Sequence, residues 1–115
     1  MKEETIVLKN LPKLSLNEFY AGKHWTKRKK IKDAYSLILA KYKHIFNDDS
    51  TYEVEYKFEF KSNPLDATNT TGMIKIIEDI LFKDDSYKVI ISVKASSKKS
   101  EVKEDKLTII VKINN

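Results

Sequence analysis

The chain has 115 residues, with 22 Lys and Arg against 17 Asp and Glu for a formal charge of +5, two glycines, two prolines and no cysteine. That length supports one domain with one modest core, and the lack of cysteine excludes disulfides, zinc–thiolate sites and cysteine nucleophiles. No apolar run approaches the ~18 residues of a membrane span, and the opening Met1-Lys2-Glu3-Glu4 lacks the apolar stretch of a signal peptide. A cytoplasmic protein without a membrane partner is expected. The positive balance permits a polyanionic partner, although lysine-rich surfaces also serve solubility.

Thr5 to Lys9 is a short β-branched strand, stopped at Asn10-Leu11-Pro12. A loop from Lys13 to Thr26 follows. From Thr26, Ile31, Ala34, Tyr35, Ile38, Leu39, Tyr42 and Ile45 repeat at three- and four-residue steps and predict a helix that ends at Asn47-Asp48-Asp49-Ser50. Tyr52, Val54, Tyr56, Phe58 and Phe60 alternate with charged residues, which predicts a strand with one buried face. Lys61-Ser62-Asn63-Pro64 breaks it. A second helix starts near Asn69 to Gly72, where Thr68, Asn69 and Thr70 are candidate N-caps, and carries Met73, Ile77, Ile80 and Leu81 on its apolar stripe, with Ile74 and Ile76 flanking it. Two strands, Tyr87 to Ala95 and Lys106 to Ile113, finish the chain, joined by a polar hairpin loop at Ser96 to Glu101. The order β-α-β-α-β-β predicts a single α+β domain over residues 1–115, with two helices packed on a small mixed sheet.

Chemistry concentrates between Leu65 and Ser86. Asp66, Asn69, Asp79, Asp84 and Asp85 are candidate oxygen donors around one helix, and Lys75 is a candidate electrostatic partner. Mg²⁺ takes one or two protein carboxylates and fills its octahedron with water and phosphate, and a nearby lysine can stabilise charge on a reacting phosphate. The same residues have plainer readings. Asp84-Asp85-Ser86 suits a polar turn, Asp66 a helix start, and Lys75 with Asp79 an ordinary i, i+4 pair. The densest positive patch runs through Lys23, Lys27, Arg28, Lys29 and Lys30, where phosphate contacts would be sequence-independent. Cations at a helix start oppose its dipole, so something other than helix stability favours them. Tyr20 and Trp25 beside the patch can stack on bases, and Trp25 equally suits a core anchor.

Read in order, these segments resemble the RusA family of Holliday-junction resolvases over almost the whole chain. The opening strand with Leu11-Pro12, Ser15, Asn17 and Tyr20 is similar to that family's start, as is the first helix with Lys27-Arg28-Lys29-Lys30 and Asp33-Ala34-Tyr35. Leu65-Asp66 and Asn69, then Lys75 with Asp79, then Asp84-Asp85 resemble the family's core motif. If Lys75 sets the register, the family's two metal-binding aspartates fall on Asn69 and Thr71; if Leu65-Asp66 sets it, one aspartate is kept and its partner falls on Pro64. The resemblance implies a homodimeric, Mg²⁺-dependent (or Mn²⁺-dependent) endonuclease of phage or prophage origin that cuts four-way or branched DNA. It implies Asp66, Asn69, Asp84 and Asp85 as metal ligands, with Lys75 as charge stabiliser. Tyr20, Lys23, Trp25, Lys27, Arg28, Lys29 and Lys30 would then contact DNA. The alternative is a protein of the same fold that has lost catalysis and binds DNA or a host protein without cutting.

Overall fold

The computed structural model describes residues 2–15 and 25–114, and of residues 25–28 the backbone alone. Strand β1 (Lys2–Lys9) leads to helix α1 (Trp25–Ile38) and a 3-10 turn (Ala40–Tyr42). Strand β2 (Thr51–Phe60) is followed by a second 3-10 turn (Ala67–Thr70), helix α2 (Thr71–Leu81), and strands β3 (Ile90–Lys99) and β4 (Lys106–Asn114). The sheet order is β1-β4-β2-β3. β4 lies antiparallel to both of its neighbours, whereas β2 and β3 run parallel and are joined through α2. The domain is therefore a four-stranded mixed sheet with two helices, as the alternation and helical periodicities predict.

β2 organises the core. Its alternation puts Tyr52, Val54, Tyr56, Phe58 and Phe60 on one buried face, while Glu53, Glu55, Lys57 and Glu59 stay at least partly in solvent. β4 repeats the pattern with Leu107, Ile109, Val111 and Ile113, and β1 adds Ile6 and Leu8. The register sets Ile6 against Ile109 and Tyr56 against Ile109 from the other side, so the buried rows coincide. Tyr35 from α1, Leu39 just after it and the apolar side of α2 complete the same cluster. The stripe of α2 is wider than its three- and four-residue steps suggest. Ile74 and Ile76 are buried with Met73, Ile77 and Leu81, while Ile80 is only partly covered.

Three expectations are corrected. Helix α1 ends at Ile38 rather than at Asn47, and Ile38 and Ile45 are exposed. The chain turns at His44, whose φ of 51° redirects it so that the His44 N–H reaches the Ile80 carbonyl and the Phe46 N–H reaches that of Leu81. Phe46 then packs with Tyr52 and Phe82 at ring separations of 4.9–5.3 Å, aromatic contacts that a continued helix would forgo. The start of α2 has no side-chain cap. The Thr70 and Thr71 hydroxyls instead donate back to the carbonyls of Ala67 and Thr68, which tightens the preceding 3-10 turn. Finally, β3 and β4 form no hairpin. Ser96 to Lys99 continue β3, and residues 100–105 carry the chain past the end of β2, where the Ser100 N–H donates to the Phe60 carbonyl. β4, apolar on alternate residues, takes the interior position, and lysine-rich β3 is left at the edge. The expected loop around Tyr20 and Lys23 lies outside the described residues.

Ile77 is fully buried at the centre of α2 and Ile91 is 54% exposed on β3. Ile77→Ala is expected to cost about 2–5 kcal/mol of unfolding free energy. Ile91→Ala should stay within about 0.5 kcal/mol of the native chain. Urea denaturation of both variants checks the assignment of the core face.

Candidate functional site

The site grows from the way α2 stops. Phe82 leaves the helix with extended backbone and pairs with Phe46 in a single parallel bridge, and the Lys83 N–H donates to the Phe46 carbonyl at 3.1 Å. The next residues turn sharply because an Asp side chain can stand in for backbone in a tight turn. The Ser86 N–H donates to Asp84 Oδ1 at 2.9 Å. That bond holds the Asp84 carboxyl below its ordinary range. The turn brings the adjacent Asp85 back toward α2, within hydrogen-bonding reach of the Asp79 carboxyl.

The electrostatics of this end of α2 follow from burial and like charge. Burial, then the hydrogen bond and charge of Asp85, push the Asp79 carboxyl up, while Lys32 of α1 and Lys75 pull against them. Glu78, half-buried beside it, is also pushed up, first by burial and then by the charges of Asp85 and Asp79. The Tyr56 hydroxyl donates to Glu78 Oε2 at 3.0 Å, and Lys75 acts in the same stabilising sense. Two carboxyls within hydrogen-bonding reach of each other favour added positive charge, a proton or a cation. Among the described residues no three acidic or histidine side chains gather closely enough to hold a metal ion. A pair is nonetheless the number of protein carboxylates that Mg²⁺ commonly takes.

The residues singled out in the sequence are distributed differently. Asp66 is exposed and precedes the 3-10 turn, its carbonyl accepting from the Asn69 N–H at 2.8 Å and its side chain capping nothing. Asn69 is partly buried within that turn. Both lie at the start of α2, whose length of about 16 Å separates them from its acidic end. Asp84 and Asp85 are neighbours in sequence with different surroundings: Asp84 lines a polar pocket with Asp48, Asp49, Lys83 and Lys88, and Asp85 meets Asp79. Lys75 is exposed on α2, one turn before Asp79. Lys29 and Lys30 are exposed on α1, with Lys29 at 3.6 Å from Asp33. Trp25, Lys27 and Arg28 belong to the backbone of the first turns of α1, while their side chains, with Tyr20 and Lys23, lie outside the described residues. In the sequence Lys32 extends the basic run and Glu78 shares the polar side of α2 with Lys75 and Asp79, and neither is a candidate site residue. Nothing in the sequence links Glu78 to Tyr56, 22 residues earlier on a different element.

Because Glu78 is raised above its ordinary value, the fold favours its protonated form. The stability this provides is present below the unfolded value near 4.5 and is lost as pH rises through the higher folded value. Glu78→Gln, which keeps an acceptor for Tyr56, is expected to gain stability relative to the native chain between about pH 4 and pH 8. Tyr56→Phe removes the donor to a half-buried carboxyl and should cost about 1–3 kcal/mol at neutral pH. Urea midpoints measured across that pH range check both outcomes.

No protein-family model matches the chain, and no curated protein sequence matches it.

Proposed function

We propose that this protein is a divergent RusA-like, Mg²⁺-dependent endonuclease acting on four-way or branched DNA. The observation that carries the reading is the approach of the Asp85 carboxyl to that of Asp79, where the charges of Lys32 of the basic helix and of Lys75 also act. In this reading Asp79 and Asp85 would hold the cation. Their chemistry fits it, since both donors are hard oxygens and their mutual repulsion is relieved by positive charge. A divalent cation bound there supplies Lewis-acid stabilisation of the phosphodiester and activation of water.

The chain's own groups do the rest. Lys75 and Lys32 bring positive charge toward a phosphate placed at the pair. Lys29 and Lys30 continue that charge along α1 and hold the DNA backbone without reading its sequence. Tyr56 orients Glu78 away from free rotation and so maintains the shape of the wall beside Lys75. A homodimer belongs to this reading through the family resemblance, as do Tyr20, Lys23, Trp25, Lys27 and Arg28 as DNA contacts.

A second reading, a RusA-like protein that binds DNA or a host protein without cutting it, is favoured by a separate observation. Asp66 stands at the far end of α2 from the pair, and Asn69 and Thr71, where the family motif has aspartates, carry no carboxylate.

A labelled four-way junction with Mg²⁺ or Mn²⁺ separates the two. Under the first reading Asp79→Asn and Asp85→Asn each lower the cleavage rate by about 10²-fold or more. Binding should change little, and Asp66→Asn and Asp84→Asn should leave cleavage within about tenfold of the native rate. Binding without cleavage in both metals selects the second reading. In either case Lys29→Ala and Lys30→Ala should each reduce the salt dependence of junction binding by about one unit of slope. Failure to bind any DNA at moderate salt would overturn the DNA reading altogether.

A further inference from the structure

Strand β3 ends the sheet, so the backbone groups along its outer side have no strand partner among the described residues. Most edge strands of this kind are short, covered or packed with charge on both faces. β3 is ten residues long, and Ile91 and Val93 are 54% and 49% exposed on it. A groove of about 470 Å³ runs beside it, with Val93 and Ala95 on the strand side and Thr71, Ile74, Lys75 and Glu78 on the side of α2. Toward the end of β3 the groove is closed by the turn before α2, where the Ser97 hydroxyl donates to the Leu65 carbonyl. The open stretch is therefore residues 91–96.

The two faces of this edge differ. Toward α2 it offers Val93 and Ala95. On the opposite face Lys94 and Lys98 stand opposite Glu55 and Glu59 of β2, at 3.9 and 4.0 Å, with their side chains 76% and 67% exposed. Ion pairs that long and that exposed contribute little and leave the ammonium groups able to take further acceptors. From Tyr87 to Lys99 the chain has four lysines and no acidic residue. A second β3 laid along this edge would bring lysine against lysine, which disfavours a copy of the same strand. An extended chain with acidic residues on one face and apolar residues on the other satisfies both faces at once. Its backbone extends the sheet, its apolar side chains enter the groove, and its carboxylates reach Lys94 and Lys98.

We propose that the outer edge of β3, with the groove between β3 and α2, is a docking site for an extended peptide of a partner protein in which acidic and apolar residues alternate. The groove shares Lys75 and Glu78 with the nuclease reading but does not include the Asp79–Asp85 pair.

The test uses the full chain and a fluorescein-labelled peptide of about ten residues in which valine and glutamate alternate, followed by anisotropy and amide hydrogen exchange. Saturable binding is expected, with slowed exchange at residues 91–96. Val93→Asp and Lys94→Glu, both at exposed positions, should each weaken it by about tenfold. The valine–lysine counterpart should bind about tenfold more weakly, and methylation of alternate peptide nitrogens should abolish binding if the backbone ladder carries it. Equal binding of the acidic and basic peptides, or protection outside β3, would overturn the proposal. So would displacement of the peptide by single-stranded DNA, which assigns the edge to nucleic acid, or protection of β3 by self-association without peptide, which assigns it to a second copy. Lys94 lies on the face away from Lys75, so Lys94→Glu is expected to lose peptide binding without a junction-cleavage defect, and the two losses are read separately in that variant.

Discussion

The arrangement depends on one constraint, the burial of a single face of β2. Five large side chains from Tyr52 to Phe60 must leave water together, and the period-two geometry of a strand puts all of them on the same side. Only that side can receive helices, so α1 and α2 share it and contribute to one cluster. The other side keeps Glu53, Glu55 and Glu59, whose charges would be costly to cover. Every feature discussed above is a consequence of this one-sided layering. α2 crosses from β2 to β3 over the apolar face, its acidic end lands where the chain turns back, and β3 is left outermost.

Tyr56 shows how core and site meet. Its ring is fully buried in the β2 row, yet its hydroxyl reaches Glu78 on α2. A buried hydroxyl needs a partner, and a half-buried carboxyl needs a donor, so each resolves the other's desolvation. The same economy explains Asp48, whose side chain accepts from the Tyr52 hydroxyl at 2.6 Å and from the Ser50 N–H, and is held below its ordinary value. Burial, with Asp48 beside it, pushes Tyr52 up to about 12. Both tyrosines lie on β2, Tyr56 satisfied by Glu78 of α2 and Tyr52 by Asp48 of the turn that leads into the strand. Asp48 and Asp84 thus hold a tyrosine and a turn, and Glu55 and Glu59 face lysines, whereas Asp79 meets another carboxyl, that of Asp85.

That division bears on function. Acids engaged in hydrogen bonds to backbone or hydroxyl groups are already neutralised locally and have little left to offer a cation. Asp79 is pushed up by burial and by Asp85 against the pull of Lys32 and Lys75, so added positive charge beside it is favourable. The reading of this corner as a cation site for phosphodiester chemistry rests on that imbalance, and on the basic face of α1 beside it. The family resemblance suggested a cation site near this helix, but with a different set of ligands.

Periodicity in the sequence determined which residues form β2, β4 and α2, because burial of one face imposes a repeat of two on a strand and near 3.6 on a helix. It also showed that acids flank α2 and that lysines crowd the start of α1. It did not determine where α1 ends, since the aromatic contacts of Phe46 with Tyr52 and Phe82 join residues up to 36 positions apart and compete with a local helical turn. Nor did it determine that β3 and β4 are separated by β2, because strand order depends on which strand has apolar residues enough to be paired on both edges. The pairing of Asp85 with Asp79 rather than with its neighbour Asp84 was decided by the turn at Ser86, whose N–H engages one of two adjacent carboxyls and sends the other back toward the helix. Local patterns specify elements, while contacts between elements select which of their side chains meet.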